Sequence, residues 1–153
     1  MLKARLNIIL IPFVLIIYSC SNKDDKNTNA SNYKITVTLN NVNAIDDFVS
    51  IVAVGANFSG KNTYPMWKVN GQNQPQTQTV SLGDTDFTGV TTIYVIETIN
   101  PLDLVELGVQ IINYEQDLTG NLKVESKDKT LINEAINLVG DNSDFTKDYS
   151  FDN

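Results

Sequence analysis

Tyr33-Lys34-Ile35-Thr36-Val37-Thr38-Leu39 alternates apolar and polar side chains without a slip. Side chains on a strand repeat every two residues, so Tyr33, Ile35, Val37 and Leu39 fall on one face. Lys34, Thr36 and Thr38 fall on the other. The stretch predicts a half-buried strand. Phe48-Val49-Ser50-Ile51-Val52-Ala53-Val54 is apolar at both parities, which predicts a central strand covered from both sides. Val80-Ser81-Leu82 resumes the alternation, and residues 91–97 are β-branched and aromatic. Residues 104–114 place Leu107, Val109 and Ile111 on one face.

Turn chemistry separates these runs. Asn70-Gly71 follows Pro65-Met66-Trp67-Lys68-Val69 and is a strong two-residue hairpin signal. Leu118-Thr119-Gly120-Asn121 reads as a turn, with residues 122–125 alternating back as the return strand of a hairpin. Residues 130–139 admit two readings. Leu131, Ala135, Leu138 and Val139 would share a helix side, whereas Ile132, Ile136 and Leu138 share a strand face. Asn133 and Asn137 are mediocre helix formers, which favours the strand. Residues 145–151 close the chain as a strand with Tyr149 and Phe151 on one face. Eight or nine short strands with turns between them predict an all-β domain, a single β-sandwich over residues 33–153. Immunoglobulin-like, jelly-roll and C2-like topologies all fit the pattern.

The region before that sandwich is different. Lys3 and Arg5 precede an apolar run over residues 6–18, too short as a helix (about 20 Å) for a hydrocarbon core of about 30 Å. It fits the apolar region of a signal peptide better than a membrane span. Ser19-Cys20 follows, and Cys20 is the only cysteine of the 153 residues, so no internal disulfide can form. Residues 26–32 are polar and aperiodic and predict a flexible tether.

Ile17-Tyr18-Ser19-Cys20 resembles the lipobox of bacterial lipoproteins, and its looser form is similar to that of Bacteroidota lipoproteins. The resemblance implies removal of residues 1–19, acylation of Cys20 and a mature chain that starts there. Each buried methylene of an acyl chain contributes about 0.8 kcal/mol, so several chains on one cysteine would anchor permanently. Lys23-Asp24-Asp25 resembles the acidic signal that sends such lipoproteins to the outer face of the outer membrane. The expected organisation is residues 1–19 as signal peptide, 20–32 as lipidated cysteine and linker, and 33–153 as the sandwich.

Composition narrows the chemistry. The chain carries 11 basic and 18 acidic residues and no histidine. Losing residues 1–19 would take two of the basic residues and none of the acids. So acidic a domain repels phosphate backbones, and nucleic acid is not an expected partner. Without histidine, Ser-His-Asp and Cys-His catalysis and histidine-based metal sites are excluded. Acylation of Cys20 would remove thiolate chemistry as well.

Three sets of residues are candidates for contact with a ligand. Asp84-Thr85-Asp86 and Asp141-Asn142-Ser143-Asp144 lie in expected loops, with Asp46-Asp47 in a third, where carboxylates can gather around calcium. The same residue types populate turns for backbone reasons alone, and neither stretch has EF-hand spacing. Tyr64 and Trp67 would form a stacking platform for a glycan if both were exposed, although a lone Trp in a sandwich more often belongs to the core. Carboxylate pairs serve glycosidases, but no acid here stands out for that role. The sequence thus points to a lipid-anchored, non-catalytic binding module with a glycan, a peptide or an envelope protein as partner and no resident cofactor. A periplasm-facing accessory lipoprotein is the main alternative, and a small hydrolase a distant one.

Overall fold

The computed structural model describes residues 30–58, 60, 62–140 and 142–152, and there the alternating stretches become ten strands. These are β1 (Tyr33–Val42), β2 (Phe48–Ala56), β3 (Trp67–Val69), β4 (Gln72–Asn73), β5 (Thr79–Gly83), β6 (Gly89–Thr98), β7 (Leu104–Asn113), β8 (Leu118–Ser126), β9 (Lys129–Leu138) and β10 (Ser143–Asp152). They form an antiparallel six-stranded sheet, β4-β3-β6-β1-β8-β9, and an antiparallel four-stranded sheet, β10-β7-β2-β5. Only β3–β4 and β8–β9 are hairpins between chain neighbours within a sheet. Every other connection crosses between the sheets. The expected all-β sandwich is the observed one, and of residues 130–139 all but Val139 are strand.

The core lies between the sheets, where the inward parity of each strand meets. Tyr33, Ile35, Val37 and Leu39 are all buried. They face Val49, Ile51 and Ala53 of β2 and Val105, Leu107, Val109 and Ile111 of β7, which are buried too. At about 25 cal/mol per Å² of apolar surface removed from water, such alternation is what drives the sheets together. Asn70 (φ 48°) and Gly71 (φ 78°) make the two-residue turn between β3 and β4 that the sequence predicts.

Three expectations fail, each for a physical reason. Leu118-Thr119-Gly120-Asn121 is not a turn, because β8 runs unbroken through it from Leu118 to Ser126. Gly120 is there because a side chain would strike the carbonyl oxygen of Thr38 on β1, so the glycine marks a close approach of two backbones. β2 is central in its sheet, paired with β5 and β7, yet nothing among the described residues covers its outer face. Ser31, expected to lie in the flexible tether, is instead held on the sandwich. Ser31 is buried and paired with Leu102 through two backbone hydrogen bonds of 2.9 Å, and the Tyr33 amide donates to Thr98 Oγ1 at 2.9 Å.

The edge strands β9 and β10 flank the same open side of the sandwich. Glu134 on β9 and Lys147 and Tyr149 on β10 occupy inward parity there. Inward charges on an edge discourage pairing with another chain. Burial first, and the Glu134 carboxylate second, push the Tyr149 phenol from its ordinary value of 10.0 up to about 12. The native state therefore holds that proton more tightly than the unfolded chain between pH 10 and about 12. The contribution is complete below pH 10 and is lost as the pH rises through about 12. The urea midpoint of the wild type should accordingly fall more steeply across this window than that of Tyr149→Phe. Parallel curves would show that the phenol does not titrate differently on folding.

Candidate functional site

The bare outer face of the four-stranded sheet is the candidate site. Registers place Val54, Glu106 and Ser150 in one row, Val52, Gly108 and Asp148 in the next, and Ser50, Gln110 and Thr146 in a third. Two adjoining depressions of about 420 and 280 Å³ share Val52, Gly108 and Asp148 and so form one groove. Gly108 is its floor. The position lacks a side chain in mid-strand, and a Cβ there would come within 3.3 Å of Asp148 Oδ1. Val52 and Val54 give the floor an apolar flank, and Glu106 and Asp148 supply carboxylates on neighbouring rows.

Charge separates this face from the opposite one. Its outward positions on β2, β5, β7 and β10 include Glu106, Asp144, Asp148 and Asp152 and no lysine or arginine. Lys147 has the other parity, and its ammonium lies 5.9 Å from the centre of the Phe145 ring. On the outer face of the six-stranded sheet, by contrast, Lys68 opposes Glu97, Glu97 opposes Lys34 and Lys34 opposes Glu125. Lys123 Nζ and Glu125 Oε1 form an ion pair at 2.6 Å on that face. One sheet balances its charges across strands and the other does not.

The residues singled out in the sequence lie elsewhere. Trp67 is fully buried and its Nε1 donates to the Gln78 carbonyl at 2.9 Å, while Tyr64 is 38% exposed. The pair is therefore no stacking platform. The indole fills core space that Gly55 leaves open, since a Cβ on Gly55 would sit 3.0 Å from Trp67 Cζ2.

The acidic loops do gather at one end of the sandwich, opposite the end where Ser31 joins Leu102. Asp47 and Asp86 serve backbone amides, whereas Asp46 and Asp144 bond neighbouring side chains. Asp47 is buried and accepts from the Asn43 amide at 2.8 Å and the Tyr114 amide at 3.2 Å, tying the β1–β2 connection to the end of β7. Asp46 accepts from the Asn43 side-chain amide at 2.6 Å. Asp84 and Asp86 stand in a single 3₁₀ turn after β5, where Asp86 accepts from the Gly83 amide at 2.8 Å. Burial, with Asp86 beside it, also pushes the Tyr94 phenol upward. Asp144 belongs to β10 and accepts from Thr146 Oγ1 at 3.1 Å. Asp141 lies outside the described residues, as do Cys20, Lys23, Asp24 and Asp25. Among the described residues no three acidic side chains converge as a metal cage.

The groove was missed in the sequence although two signals for it were present. One is the apolar outer parity of β2, read as a covered face. The other is Gly108, a glycine within an otherwise regular alternation.

Fold and face together define a two-sheet β-sandwich with one open, acidic sheet surface. No family model matches the chain, and no curated protein matches it either. Among solved structures, one described as the calcium-bound form of a protein from Parabacteroides distasonis is 11% identical, with a TM-score of 0.58 over 78% of this chain and 92% of that one. A DUF4425 family protein from Bacteroides ovatus is 13% identical, with a TM-score of 0.55 over 80% of this chain and 94% of that one. A DUF4425 domain of unknown function from Bacteroides vulgatus is 12% identical, with a TM-score of 0.54 over the same shares. At such identities the likeness is one of fold.

Proposed function

We propose that this chain is a lipid-anchored, non-catalytic binding module of the bacterial outer membrane, tethered through Cys20 and carried to the cell surface by Lys23-Asp24-Asp25. The observation that carries the binding role is the uncovered groove over Gly108. Val52 and Val54 of β2 are only half-buried there, beside carboxylates that no lysine or arginine on the outward positions of that sheet neutralises. The anchoring role is supported by the lipobox-like Ile17-Tyr18-Ser19-Cys20.

A tether from Cys20 would enter the sandwich at the Ser31–Leu102 end, and the acidic loops lie at the other end. The groove then runs along the strands between the two ends, where a partner reaches it from the side. Calcium has no part in this reading, although one fold relative is a calcium-bound form. At the distal end Asp47 and Asp86 cap backbone amides and Asp46 and Asp144 bond neighbouring side chains, and among the described residues no three acids converge on one point.

Two measurements on the native protein test the proposal together. Intact mass after detergent extraction should show a chain starting at Cys20 and carrying acyl groups. Protease applied to intact cells should release the sandwich. A mature chain beginning elsewhere would sink the anchor, and full protection from protease would assign the domain to the periplasmic side.

A further inference from the structure

We infer that the groove over Gly108 holds an extended, basic polypeptide segment in which lysine or arginine recurs at every second residue. This rests on the groove being the binding face and adds the chemistry of its occupant. Glu106 and Asp148 stand on adjacent rows of the sheet, and rows two residues apart along a strand are separated by about 6.8 Å. An extended chain repeats its side chains on one face with that same spacing. Two basic side chains flanking one residue therefore meet the two carboxylates in step. The three rows span about 14 Å, the reach of roughly four extended residues.

The floor suits the stems of such side chains. Lysine and arginine lay their methylenes along apolar surface while the charged head reaches polar groups, and Val52 and Val54 flank Gly108 for that purpose. Gln110, Thr146 and Ser150 add hydrogen-bonding groups along the groove. An acidic partner is repelled, because no lysine or arginine projects from this face among the described residues. A glycan finds less to hold. The aromatic side chain at the groove, Tyr149, is of inward parity with its hydroxyl shielded from solvent, and exposed Phe48 lies a row beyond the groove.

The test uses the full-length protein extracted in detergent and fluorescence anisotropy with three labelled probes: an alternating Lys-Ser peptide, its Glu-Ser counterpart and a neutral oligosaccharide. The Lys-Ser peptide should bind and the Glu-Ser peptide should not. Glu106→Gln and Asp148→Asn should each weaken binding about two- to fivefold, as exposed ion pairs do, with the loss shrinking in high salt. Both positions point outward, so the folded state survives these changes, which thermal melts verify. Equal affinity for the two peptides, or unchanged affinity in both variants, would overturn the inference. Binding of the oligosaccharide that Gly108→Leu abolishes would overturn the basic occupant while keeping the groove as the binding face. If Gly108→Leu alters the binding of none of the probes, the groove itself is not that face.

Discussion

Gly120→Ala should lower stability by about 3 kcal/mol, at the upper end of what a single inserted methyl costs in a packed interior. The new Cβ would run into the Thr38 carbonyl oxygen and lie 2.9 Å from Leu39 Cδ2. A side chain can swing away from a neighbour, but the main chain of β1 cannot move without loosening its pairing. That strand is held on both sides, by β6 from Lys34 to Val42 and by β8 from Tyr33 to Asn40. A domain of this kind is stable by only about 5–15 kcal/mol, so the loss is a large share. For a chain of this size it corresponds to a melting temperature lower by roughly 10 °C. Gly83→Ala is the control, because a Cβ there meets only the Val49 carbonyl at 3.8 Å, an ordinary contact. Chemical denaturation of the two variants decides the matter. If Gly120→Ala is no worse than Gly83→Ala, the close approach does not explain the glycine.

Trp67→Ala should cost about 3–5 kcal/mol, the range for removing a large aromatic from a core. The indole is fully buried, packs against Gly55 and Leu102, and satisfies the Gln78 carbonyl. Alanine leaves a cavity and takes one of the two donors to the Gln78 carbonyl, which keeps the Gly55 amide at 2.9 Å. Trp67→Phe keeps much of the volume and loses the hydrogen bond, so it should cost about 1–2 kcal/mol beyond the volume change. Trp67 is the only Trp in the chain, so fluorescence reports on this one site. Its emission should be blue-shifted and protected from acrylamide until the domain unfolds. Emission at the wavelength of a solvated indole would return Trp67 to the surface and revive a stacking role beside Tyr64.

Strands were legible where alternation was clean. Residues 33–39 show all four apolar side chains buried, and residues 130–138 resolved as strand because Ile136 and Leu138 face the core while Ala135 and Asn137 face outward. Glycine was the weak point. At Gly71 it marks a turn, at Gly120 a close approach and at Gly108 the floor of a groove, and the local sequence does not separate these uses. Only what stands opposite each position does: solvent, a carbonyl of β1, or an aspartate of β10. The candidate site was illegible for the same reason, since its rows combine residues from three strands that are far apart along the chain.

The sequence by itself determined that this is a two-faced β domain, acidic and free of histidine, because strand period and charge are properties of the chain read locally. Tertiary structure alone decided which apolar face stays bare, which strands lie at the edges and which acids share a surface. Seven of the nine connections between successive strands cross from one sheet to the other, so the neighbours of a given residue are set by packing across the core.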